Sequence, residues 1–142
     1  MTIFKTLNCS MALAAFAMVT PASAQLSLDD ILGGGGGQGT LLETLIDEAK
    51  KHPLGSEENP VRADMPRGQK AYLGRLRCAD GKAPQYARTG SLGVGPFGRI
   101  VDAYEVTCES SEPAKTTVVM DMYHPGYQEP KAVSGFTIEE AR

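Results

Sequence analysis

The stretch QKAYLGRLRC, residues 69–78, decides the architecture of this chain. Read with a period of two, it sets Tyr72, Leu76 and Cys78 on one face and Leu73, Arg75 and Arg77 on the other, the pattern of a half-buried strand. Ala79-Asp80-Gly81-Lys82 follows as a turn, with Asp-Gly supplying the positive φ that tight hairpins require. A short return strand is expected over residues 85–89, a glycine-rich loop over 90–98 and a third strand over 99–108. In that third strand Ile100, Tyr104, Val106 and Cys108 share a face. A polar turn containing Pro113 leads into a fourth strand over 116–123, and Phe136-Thr137-Ile138 offers an edge strand in the tail.

Working upstream, residues 54–68 are rich in Pro, Gly, Asn, Ser and charge, which describes a long connecting loop. Before it, a helix is expected over residues 40–51. Thr40 caps it with Glu43 three residues on, and Leu41, Leu42, Leu45, Ile46 and Ala49 recur on one face. Lys50, Lys51 and His52 suit the negative end of the helix dipole, and Pro53 stops the helix. Residues 33–39 hold six glycines in seven positions and read as a flexible linker. The sum is an α+β fold, one amphipathic helix packed on a small antiparallel sheet of four or five strands.

The start of the chain reads as a secretory signal peptide over residues 1–24. Lys5 precedes an apolar run over residues 11–19, and Ala22-Ser23-Ala24 supplies the small-residue cleavage pattern. The run is too short to cross a bilayer, which takes about 20 apolar residues, so the mature form is expected to lack a membrane span. Cleavage between Ala24 and Gln25 leaves a flexible glycine-rich segment, 25–39, and a single domain, 40–142. It also removes Cys9, and the two remaining cysteines, Cys78 and Cys108, are expected to form one disulfide in an oxidising compartment, the periplasm or the exterior. Neither belongs to a C-x-x-C, so zinc-knuckle or dithiol redox chemistry has little support.

Without residues 1–24 the chain carries 13 basic against 17 acidic residues. Arg62, Arg67, Lys70, Arg75, Arg77, Arg88 and Arg99 make a local positive excess, yet they are spaced apart and offset by acids. The sequence therefore shows no nucleic-acid surface, and these cations read as solvated faces and loops.

Three patterns bear on chemistry. Gly93-Val94-Gly95-Pro96-Phe97-Gly98 matches the dinucleotide fingerprint by letter, but a β-patterned run follows it where a helix would have to begin. Ser91, Gly93, Gly95 and Gly98 are instead candidates for a ligand loop, where glycines permit close backbone approach. Met120, Met122 and His124 alternate on the expected fourth strand and would converge as two thioethers and an imidazole, a set that suits copper(I); alternate Met residues on a strand also serve as core filling. Finally, Asp102 or Asp121 near His124, with Ser91 as nucleophile, would make a hydrolytic triad, although Ser91 lacks the G-x-S-x-G elbow.

These readings point to a small exported, non-enzymatic domain that binds a partner of unknown identity at the cell envelope or outside the cell, without a cofactor. A periplasmic copper-binding protein using Met120, Met122 and His124 is the second reading, and a small periplasmic hydrolase the third.

Overall fold

The true period of residues 69–78 is 3.6. In the computed structural model, which describes residues 36–141, Met65–Arg75 is an α-helix with Gln69, Tyr72 and Leu73 buried. Leu76, just beyond its end, is buried as well. Positions 69, 72, 73 and 76 are spaced i, i+3, i+4 and i+7, the stripe of an amphipathic helix. The strand expected over residues 69–78 is thus corrected to a helix as far as Arg75, with only Leu76 and Arg77 in a strand. Gln69 hides the stripe from a hydropathy reading, because a wholly buried glutamine occupies the place of an apolar residue.

The chain order is α1 (Gly36–Ala49), β1 (Val61–Asp64), α2 (Met65–Arg75), β2 (Leu76–Arg77), β3 (Gln85–Val94), β4 (Ile100–Thr107), β5 (Lys115–Asp121), β6 (Tyr123–Gln128) and β7 (Thr137–Ile138). The signal-peptide region, Cys9 and the first part of the glycine tract lie outside the described residues. The described part is mixed α and β, with two helices where one was expected. The first, α1, begins inside the glycine tract and ends two residues before the expected boundary. Its apolar stripe is covered only toward the C-terminal end: Ala49 is buried, whereas Leu41 and Leu42 are exposed.

Five strands form the main sheet in the order β3-β4-β5-β1-β6. The sheet is not purely antiparallel, since β1 runs parallel to β5, with Val61 opposite Met120 and Arg62 opposite Asp121. Returning to a parallel register requires a long crossover, here supplied by α2, β2, β3 and β4. The strand β1 lies inside the expected connecting loop and nevertheless sits between β5 and β6. Four residues with only Val61 and Ala63 apolar are too few to display a period of two. The tail strand β7 pairs antiparallel with β2 in a separate two-stranded sheet, Leu76 opposite Ile138.

The expected glycine loop also becomes sheet. β3 pairs with β4 as far as Val94 opposite Ile100, with register shifts between Arg88 and Gly90 and between Ser91 and Gly93. Each shift inserts one extra residue, the signature of a β-bulge. Gly93, at φ +92°, adopts a backbone that a side chain would strain.

Helix α2 covers one face of the sheet. Tyr72, Leu73 and Leu76 pack with Val61 and Ala63 of β1, Tyr104 and Val106 of β4, and Val118 and Met120 of β5. Phe136 and Val133 from the tail complete this core. Cys78, after β2, and Cys108, after β4, are joined as a disulfide, with Cα atoms 6.0 Å apart. The bridge fastens the β2–β7 pair to the main sheet. Among the described residues no helix is long and apolar enough to cross a membrane.

Candidate functional site

The three residues of the candidate copper set occupy different surroundings. Met120 is wholly buried within the core under α2. Met122 lines an open cleft with Pro66, Lys70 and Tyr86. His124 is buried and meets the ring of Phe97 edge-on, centroids 5.1 Å apart at 88°. The alternation that would align them is broken at Met122, where β5 stops and the chain turns into β6 to pair with β1. Among the described residues no group of three or more His, Cys, Asp or Glu side chains is placed to hold a metal ion.

The β3–β4 turn and His124 do come together, through Phe97. Its backbone is set by Gly95, whose N–H donates to the Arg99 carbonyl at 2.7 Å, and by Gly98, whose N–H donates to the Gly95 carbonyl at 3.0 Å. Asp121 lies beside the imidazole, with Oδ2 3.5 Å from His124 Nε2, and neither atom has a hydrogen-bond partner. The other carboxylate oxygen of Asp121 accepts the Tyr123 N–H at 2.8 Å. A carboxylate in this place can orient an imidazole. Ser91 is engaged elsewhere: its hydroxyl donates to the Val101 carbonyl at 3.3 Å and accepts the Gly93 N–H at 3.5 Å. Ser91 and Gly93 belong to β3, and only Gly95 and Gly98 lie in the turn.

Asp102 is held by α2 and β3 instead. Gln69 Nε2 donates to Asp102 Oδ2 at 3.2 Å, Arg88 donates to Oδ1 at 2.7 Å, and the Tyr104 hydroxyl donates to Gln69 Oε1 at 3.0 Å. The carboxylate raises the Arg88 pKa above its ordinary value, first through this hydrogen bond and then through its charge. Tyr104 is also raised, chiefly by burial. The buried polar side-chain atoms of Gln69, Asp102 and Tyr104 all have partners, which suits a structural clasp between helix and sheet.

A second group of charges lies on the other side of α2, where four arginines share a cleft with the carboxylates of Asp64, Glu129, Glu139 and Glu140. Arg62 from β1, Arg67 and Arg75 from α2, and Arg77 from β2 all line one cleft of about 630 Å³, closed on its far side by Tyr127 of β6 and by Glu139 of the tail. Along α2, Arg67, Ala71 and Arg75 fall at i, i+4 and i+8 on one face, beside the buried stripe. Arg62 lies over the Tyr127 ring at 4.0 Å and donates to the Tyr127 hydroxyl at 2.7 Å. That hydroxyl donates in turn to Glu129 Oε2 at 3.1 Å, and burial with the Glu129 charge raises the Tyr127 pKa. Arg75 donates to two backbone carbonyls, those of Glu129 and Glu139. Among the described residues, Arg77 alone of the four forms a salt bridge with a carboxylate, that of Glu139. Asp64 and Glu140 also line the cleft, yet neither forms a salt bridge with these arginines among the described residues.

This convergence is hard to see in linear order, where the four arginines are spread over β1, α2 and β2. The available signal is the spacing of Arg67 and Arg75 on one face of α2, which only a helical reading of residues 65–75 reveals. The Cys78–Cys108 bridge is the sequence-derived pair that the structure joins. Compared with protein-family models, curated proteins and solved structures, the chain matches none.

Proposed function

We propose that this protein is an exported, non-enzymatic binding domain whose ligand is anionic and occupies the cleft between α2 and β6. One observation carries the reading: Arg62, Arg67 and Arg75 come from separate positions in the chain to line one cleft, and none of them has a carboxylate salt bridge among the described residues. A guanidinium offers its N–H donors in a planar fork that fits carboxylate or phosphate oxygens in pairs. Stacking on Tyr127 holds Arg62 in place before a ligand arrives, which lowers the ordering cost of binding. The Asp121–His124 pair, by contrast, has no hydroxyl hydrogen-bonded to it among the described residues. The export part of the reading rests on the signal-like residues 1–24, with which the disulfide is compatible.

Titration calorimetry with inorganic phosphate and with a hexaglutamate peptide tests the site. Both Arg62→Ala and Arg67→Ala are expected to weaken binding of either probe at least tenfold, and raising the salt concentration weakens it further. Absence of binding, or binding indifferent to both substitutions, overturns the proposal.

A further inference from the structure

The chain already places one acidic residue in the cleft, and the way it is held indicates the chemistry of the ligand. Every group of Glu139 that a peptide could present is read. Its carboxylate receives Arg77 Nε at 3.0 Å on Oε1 and Arg77 Nη2 on Oε2, a bidentate pair. Its carbonyl accepts Arg75 Nη1 at 3.1 Å, and its N–H donates to the Arg75 carbonyl at 3.0 Å. A free phosphate would use only the guanidinium groups. Recognition of side chain, N–H and C=O together is what an extended peptide receives when it lies along a sheet edge.

The hold on this segment is shallow beyond Ile138. Phe136 belongs to the core and Ile138 packs against it, but the Glu139 side chain is 53% exposed, and Glu140 and Ala141 are exposed as well. An exposed ion pair of this kind contributes little net stability. Farther along the cleft Arg67 and Arg62 make no salt bridge among the described residues, although Asp64 and Glu129 line the same cleft, so a chain with acidic residues aligned to these two guanidinium groups would gain contacts that the tail does not make.

We infer that Glu139, Glu140 and Ala141 are a displaceable occupant of the cleft, and that the ligand is an extended acidic peptide that takes the place of Glu139 on Arg75 and Arg77. The inference rests on the anion-binding reading and specifies the ligand for that site. An incoming acidic residue sits on Arg77, and further acidic residues reach Arg67 and Arg62. The tail swings into solvent on exchange, and no covalent step is involved.

The probe is a fluorescein-labelled peptide with the sequence of residues 139–142, EEAR, the part that the truncation removes, followed by anisotropy. It is added to the full chain, to a variant lacking residues 139–142, and to Glu139→Gln in the full chain. The truncated variant is expected to bind about two- to fivefold more tightly than the full chain, with Glu139→Gln in between. Arg77→Ala in the truncated background, or a peptide with both Glu replaced by Gln, is expected to lose at least tenfold. Equal affinity of full and truncated chains overturns the inference, as does no binding by a truncated chain whose disulfide and far-UV circular dichroism are intact. If hexaglutamate and phosphate bind both chains alike through Arg62 and Arg67, the anion site stands and the displaceable tail falls. If neither probe binds either chain, both proposals fall.

Discussion

Replacing Gln69 by Leu separates the clasp between α2 and the sheet from the packing around it. The two side chains are close in volume, so the substitution leaves little cavity, and the measured loss belongs mainly to hydrogen bonds. Gln69 is wholly buried and makes two of them, one to Asp102 Oδ2 at 3.2 Å and one from the Tyr104 hydroxyl at 3.0 Å. Leucine leaves a charged acceptor without a donor on one oxygen, while Arg88 still holds the other. It also leaves a phenol without its acceptor. Each orphaned group costs about 1–3 kcal/mol. The open cleft beside Asp102 and Tyr104 gives water partial access to both, which favours the lower part of that range. The two together give a loss of about 3 kcal/mol, a large share of the net stability of a domain this size. Urea unfolding monitored by circular dichroism measures it as a shift in midpoint at constant m. Tyr104→Phe completes a double-mutant cycle, with an expected coupling of about 1 kcal/mol because both substitutions remove the same bond. A loss below 1 kcal/mol at unchanged m, or no coupling, would refute the view that this polar network fastens the helix.

Three further outcomes follow from the same structure. Replacing Cys78 and Cys108 together by Ala opens a loop of 30 residues and is expected to cost about 3–4 kcal/mol by the chain-entropy relation; thiol titration of the unreduced protein reads no free cysteine at either position. Tyr72 is buried, and desolvation is the main cause raising its pKa. Its phenol stays protonated in the folded chain while the unfolded chain loses that proton near pH 10, so stability is full below pH 10 and falls above it by about 1.4 kcal/mol per pH unit. Denaturation followed from pH 9 to 11.5 checks this, and Tyr72→Phe removes that contribution to the slope. Met65, the first residue of α2, sits at φ +58° with an exposed side chain, so Met65→Gly is expected to raise stability by about 1 kcal/mol, whereas Met65→Val lowers it; thermal unfolding of the two variants distinguishes them.

Sequence alone determined the features that depend on local chemistry or on counting. The pairing of Cys78 with Cys108 was expected on the reading that Cys9 leaves with a signal peptide, and the bridge is present. The mixed α and β character and the strands β4 and β5 were legible because both runs are rich in β-branched and aromatic residues and are bounded by turn residues. Tertiary structure decided the rest. Residues 69–78 satisfy both a period of two and a period of 3.6 in their apolar positions; the choice falls to the helix because Gln69 finds Asp102 and Tyr104 across the core, 33 and 35 positions away. Strand β1 is too short to announce itself and exists because β5 and β6 supply ladders on both sides. The glycines of β3 looked like a loop because a bulge and a turn use the same residue. The arginine cleft belongs to this second class: each guanidinium reads as an ordinary surface charge in the chain, and only the placement of β1, α2, β2 and β6 around one hollow makes them a site.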